Sequence, residues 1–165
     1  MKKFLKTLAV FAAVAALGFG FASCADDGGS GSGSGSALVA FSSVNSTGEN
    51  GTISFYSDKT YTVHMYRKST EHGITLIMDL DVEKGNYTGD PTKDGSVDCT
   101  SESGVDEEKM GKLMLQAALS GSKSLTITNS NCPLVALDSS KVEKRTCTIS
   151  GTTLTDDEDN KFTRK

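Results

Sequence analysis

Few side chains in this 165-residue chain can do chemistry: four cysteines (Cys24, Cys99, Cys132 and Cys147), two histidines (His64 and His72) and two runs of carboxylates. Two imidazoles do not make a dedicated zinc site unless carboxylates complete it, and no metal-ligand spacing joins these two. His64 shares a strand face with Thr62 and Tyr66, and His72 stands in a charged turn beside Glu71, so both read as solvated or incidental side chains. Asp79, Asp81 and Glu83 alternate, which on a strand projects all three carboxylates from one face at intervals of about 6.6 Å. That row can attract calcium or a basic partner. The plainer reading is a solvated, charged face that discourages edge-to-edge association. Asp156-Asp157-Glu158-Asp159 lacks the glycine and loop length of an EF-hand and reads as an exposed hairpin tip. No histidine lies near a cysteine in sequence, and Gly-x-Ser-x-Gly, P-loop, dinucleotide and His-Glu-x-x-His motifs are absent. The expectation is a non-enzyme with no metal and no cofactor.

Cys24 stands apart because of what precedes it. Lys2, Lys3 and Lys6 lead into an apolar stretch from Leu8 to Phe21 and then the small residues Ala22 and Ser23, the order of a secretory signal. The apolar run, about 14 residues, is shorter than the roughly 20 that a bilayer-spanning helix needs. Phe21-Ala22-Ser23-Cys24 resembles the lipobox of bacterial lipoproteins, in the loose form of spirochaetes or Bacteroidetes. The resemblance implies a signal peptide over residues 1–23, cleavage before Cys24, a diacylglycerol thioether on its sulphur and a further acyl chain, such as palmitate, on its new amino group. Two or three chains anchor stably at about 0.8 kcal/mol per buried CH₂, where one holds only marginally. Residues 28–36 then alternate Gly and Ser, a flexible tether reaching about 15–18 Å. Residues 24–36 thus read as the lipidated Cys24 and its tether, holding a domain of residues 37–165 at the cell envelope, on the outer membrane or cell surface rather than the inner membrane.

The elements that must position the remaining side chains are mostly strands. Ile53 and Phe55 alternate with polar residues, Asp58-Lys59 makes a tight turn, and Tyr61, Val63 and Met65 alternate again, which signals a hairpin. Ile74, Leu76, Met78, Leu80 and Val82 share a face of the strongest strand, Ile74–Val82. Turn formers fill Gly89 to Gly95, with Pro91 fixing φ and Gly95 able to take positive φ. Ser96–Thr100 resumes as a strand carrying Val97 and Cys99 on one face. Over Asp106–Ser120 the period changes: Met110, Leu113, Met114, Ala117 and Ala118 form a helical stripe, acidic residues open it and Gly121 is placed to end it. Ser124–Thr128, Lys144–Ser150, Thr152–Thr155 and Lys161–Arg164 read as four more short strands. The fold class is therefore mainly β, an antiparallel meander with one short helix around 106–120.

Phe55 to Val63, Gly85-Asn86-Tyr87 and Cys147 to Thr155 together resemble the strand and turn rhythm of bacterial lipocalin-like (calycin) lipoproteins, and Tyr87 to Gly95 is similar to segments of small treponemal lipoproteins. The resemblance spans about residues 50–165 and implies an up-and-down lipocalin-like barrel. The Gly-x-Trp that opens true lipocalins is absent, and the chain has no Trp. In a closed barrel Phe55, Tyr61, Val63, Met65, Leu76, Met78 and Leu80 would either line a cavity for one small apolar ligand or fill it. Among the cysteines of the domain three pairings are open. Cys132 and Cys147 would close a short loop, which makes them the favoured disulfide and leaves Cys99 a buried thiol.

The whole chain carries 17 basic and 21 acidic side chains, a net charge of −4; without the signal's three lysines it carries 14 against 21, net −7. An acidic chain with no basic cluster lacks the footprint of a nucleic-acid binder. The expected partners are the membrane, through the anchor at Cys24, and either a small apolar ligand or a macromolecule, with the domain a monomer. The alternative is a cavity-free surface interaction protein: an antigen, adhesin or protease inhibitor.

Overall fold

A computed structural model of the chain describes residues 35–44, 50–71 and 74–165. The signal segment, Cys24, the tether up to Ser34 and His72 lie outside these residues. In chain order the elements are β1 (Ala37–Val44), β2 (Asn50–Tyr56), β3 (Thr60–Glu71), β4 (Ile74–Thr88), β5 (Gly95–Val105), α1 (Glu107–Leu119), β6 (Ser124–Thr128), β7 (Leu134–Ala136), β8 (Lys144–Ser150), β9 (Thr153–Thr155) and β10 (Lys161–Arg164).

Period-two patterning makes each strand bury one face, and the strands satisfy their backbone groups by pairing with their chain neighbours. β1 to β5 pair successively, β5 pairs with β8, β8 with β9 and β9 with β10, all antiparallel. β10 returns to β1 with Phe41 opposite Arg164 and Ser42 opposite Thr163. Eight strands thus close an up-and-down, lipocalin-like barrel with one short helix. Closure leaves no open edge in the barrel itself. β6 and β7 are additions: β6 lies parallel to Thr75–Asp79 of β4, and β7 lies against Ser103–Val105 of β5.

The additions follow from the length of β4. Its second half, Glu83 to Thr88, pairs with β5, whereas its first half has diverged from β5 and takes β6 as neighbour. α1 connects β5 to β6 across that divergence. Asp106 caps it by accepting from the Lys109 N–H at 2.9 Å, Glu107 and Glu108 occupy the positive end of its dipole, and Gly121 turns the chain out at φ 66°. Met110 is buried, and Leu113 and Met114 pack on the core.

Two register shifts re-aim β4. Val63 faces Glu83 but His64 faces Asp81, so Val82 is an extra residue in β4; such a bulge inverts the facing of the residues on its far side. A second shift lies between the pairs Lys84 with Ser103 and Gly85 with Ser101. Here the strands come so close that a Cβ on Gly85 would stand 2.0 Å from the Thr100 carbonyl oxygen. Glycine is what lets β4 and β5 meet.

The core is one cluster inside the barrel. Phe55 packs edge-on to Phe41 (ring centroids 6.3 Å apart) and to Tyr87 (5.0 Å), with Tyr61 tilted against it at 6.3 Å. Tyr87 also donates its hydroxyl to the Tyr56 carbonyl at 2.8 Å, fastening β4 to the β2–β3 turn. In that turn Lys59 takes φ 65°, and Asp58 accepts from the Thr60 N–H and hydroxyl.

Candidate functional site

The seven apolar residues of the expected ligand cavity all belong to or pack on this core. Phe55, Met78 and Leu80 are 0% exposed, Tyr61 1%, Val63 2% and Met65 8%, with Leu76 half-buried. A side chain bordering a void that holds even one water keeps accessible area, and Phe55, Met78 and Leu80 keep none. They belong to one packed cluster instead.

The interior also holds charge that the sequence pattern places outside. Because Val82 is bulged, Glu83 points inward with Val63, while Asp79 and Asp81 stay on the outer face with His64 and Tyr66. The expectation that Asp79, Asp81 and Glu83 share one face is therefore corrected. Inside, Glu83 pairs with the Arg145 guanidinium and accepts from the Tyr61 hydroxyl. The Arg145 guanidinium also stands 6.0 Å from the Tyr61 ring centroid. Burial pushes the Tyr61 hydroxyl well above the ordinary tyrosine range, with the Arg145 charge opposing. A buried charge is tolerable when paired and hydrogen-bonded, and this trio meets that condition.

On the outer face His64 is buried rather than solvated, a second correction. Its Nδ1 lies 3.0 Å from Asp81 Oδ1, and its Nε2 lies 3.0 Å from Asp79 Oδ1 without the alignment of a hydrogen bond. The loop after β6 covers the group: Asn129 donates to Asp81 Oδ2 at 3.0 Å and accepts from the Asp81 N–H at 2.7 Å. The cover, contributed 48 residues further along the chain, is what sequence spacing could not reveal. Asp79, half-buried at 40% side-chain exposure, keeps one side to water.

Among the described residues no group of three or more His, Cys, Asp or Glu is arranged to hold a metal ion. The acidic run at 156–159 is only partly exposed. Asp156 is buried and organises the β9–β10 loop, its Oδ1 accepting from the Glu158 and Asn160 N–H groups at 3.0 and 2.8 Å. Asp157 and Asp159 are exposed, the latter at φ 65°.

Cys99, Cys132 and Cys147 are free, buried thiols. The favoured pairing of Cys132 with Cys147 is not the neighbourhood the fold creates. Cys132 Sγ lies 3.8 Å from the Asp106 carbonyl oxygen, whereas the β5–β8 register sets Cys99 diagonally across from Cys147. Cross-strand register, invisible before the β5–β8 pairing is known, makes that difference.

The two ends of the barrel carry different features. Connections in an up-and-down barrel alternate between ends, so the β2–β3, β4–β5 and β8–β9 turns share the end at which β1 begins. Ser36 is fixed there by accepting from the Ser57 N–H at 2.9 Å and donating its own N–H to the Ser57 hydroxyl at 3.1 Å. The connection from β5 to β8, with α1, leaves from the opposite end. It carries Leu115, Leu119, Val135 and Val142, four of the five large apolar side chains exposed among the described residues. Compared with protein-family models, with curated proteins and with solved structures, the chain matches none of them.

Proposed function

We propose that this protein is a lipid-anchored lipoprotein of the bacterial cell envelope whose lipocalin-like barrel works by binding a macromolecular partner on its outside. The observation that supports outside binding is the burial of Phe55, Met78 and Leu80, which keep no accessible area and belong to one packed cluster, with Glu83, Arg145 and the Tyr61 hydroxyl bonded to one another beside them. The anchor reading rests on Lys2 to Cys24 and the Gly/Ser tether. With the tether entering at Ser36, the β5–β8 connection and the β9–β10 loop lie at the end turned away from the anchor. That is where a surface antigen, adhesin or inhibitor presents its loops.

A small apolar ligand inside the barrel is the competing reading, favoured by the closed eight-stranded topology, which in other barrels encloses one such molecule. Native mass spectrometry of the full chain, purified mildly and then offered fatty acids, phospholipids and sterols, separates the two. Binding on the outside predicts the bare protein mass throughout. Saturable one-to-one uptake of any of these ligands would show that the interior opens and would return the site to the barrel.

A further inference from the structure

β5 and β8 pair so that Val97 faces Cys147 and Cys99 faces Arg145. Val97 and Cys99 on β5 and Cys147 and Ile149 on β8 share the inward face and are buried, Cys99 and Cys147 at 2% exposure each. They are diagonal neighbours on one face of one strand pair. The register thus sets the two thiols side by side in the barrel wall. Arg145 sits opposite one cysteine and two residues before the other on the same face, which sets a guanidinium beside both. Hydrogen bonding with Cys99, helped by the Arg145 charge, holds the Cys147 thiol below its ordinary range, whereas hydrogen bonding with Cys147 and burial push Cys99 up. One thiol is thus disposed to become the thiolate nucleophile and the other to keep its proton.

We propose that Cys99 and Cys147 form a reversible dithiol–disulfide pair inside the barrel, with a small hydroperoxide as oxidant. The Cys147 thiolate attacks the terminal peroxide oxygen, the O–O bond breaks, and a sulfenic acid forms while hydroxide or alkoxide leaves. The sulphur of Cys99 then attacks the sulfenic sulphur; its proton goes to the departing hydroxide, the S–O bond breaks, and water leaves as the S–S bond forms. Two thiols lose two electrons and two protons, and the peroxide becomes two waters, or water and an alcohol. Burial selects the oxidant, because a molecule of peroxide size can enter a packed wall where a protein disulfide cannot touch the sulphurs.

Geometry makes the bond reducible. Diagonal neighbours have Cα atoms about 7–8 Å apart. A disulfide favours about 4.4–6.8 Å, so closing it draws the strands together and stores strain. Strained disulfides have the higher, labile potentials.

The test uses the full chain carrying Cys24→Ser and Cys132→Ser, so that Cys99 and Cys147 are the only thiols. After hydrogen peroxide and alkylation in denaturant, the expected result is loss of two hydrogen masses, no alkylation, one cross-linked peptide joining Cys99 to Cys147, and full recovery of both thiols with dithiothreitol. Adding Cys99→Ser should leave a sulfenic acid at Cys147 that dimedone traps. If the doubly substituted chain does not fold, the same cross-linked peptide is sought in the unsubstituted chain. Two thiols alkylated after peroxide, overoxidation to sulfinic acid with no S–S bond, or a cross-link that includes Cys132 overturns the proposal.

Discussion

At the scale of single residues, local hydrogen bonding fixes properties that composition hides. The Asp90 carboxyl accepts from the Thr92 hydroxyl at 2.6 Å and its N–H at 3.0 Å and pairs with Lys93 at 2.9 Å. These bonds, the Thr92 hydroxyl foremost, hold it well below the ordinary carboxylate range. Its folded pKa lies under its unfolded one, so the contribution is complete above the ordinary range and fades as pH falls through the folded value. Thermal melts of Asp90→Asn should therefore show a lower Tm than the parent near neutrality, with the two curves converging in strong acid. Melting curves that differ equally at every pH would contradict the assignment. The turn itself, Gly89 to Gly95, is legible in the sequence because Gly, Asp and Pro announce it, and Gly95 takes φ 140° as its type allows. Burial of His64 is not legible there, since it depends on Asn129 arriving from another element.

At the scale of elements, the hairpin signals and the helix are readable from period alone, and α1 ends within a residue of Asp106–Ser120. β4 runs further than its pattern. Lys84 to Thr88 carries no alternation of its own and is held as strand by β3 and β5 on either side. β7 and β1 leave no clear signal for similar reasons: three residues make no period, and Ala37 to Val44 mixes small and apolar residues on both faces. The bulge at Val82 is tertiary in origin and reverses the facing of Glu83, the carboxylate that pairs with Arg145 inside the barrel. Gly85 offers the sharpest test at this scale. An alanine there puts its Cβ against the Thr100 carbonyl, so Gly85→Ala should lower unfolding free energy by about 1–3 kcal/mol in urea titration, the range of overpacked cores. An unchanged midpoint would mean that β4 and β5 do not meet as described.

At the scale of the molecule, closure of the barrel decides what can act. Once β10 pairs with β1, every inward side chain must be accommodated in one enclosed volume, and aromatic packing around Phe55 uses that volume. Fold class and core membership are readable because period-two patterning marks inward residues. Whether those residues line or fill the barrel is a matter of volume, and a sequence pattern does not carry volume. The proposed role depends above all on the barrel being held to a membrane through lipid on Cys24, and the decisive variant is Cys24→Ala expressed in a bacterium that processes lipoproteins. In detergent phase separation the parent chain should enter the detergent phase and incorporate labelled palmitate, while Cys24→Ala should stay aqueous and unlabelled with an unchanged melting temperature. A folded Cys24→Ala protein that still partitions into detergent, or a parent chain that never takes up label, would contradict it.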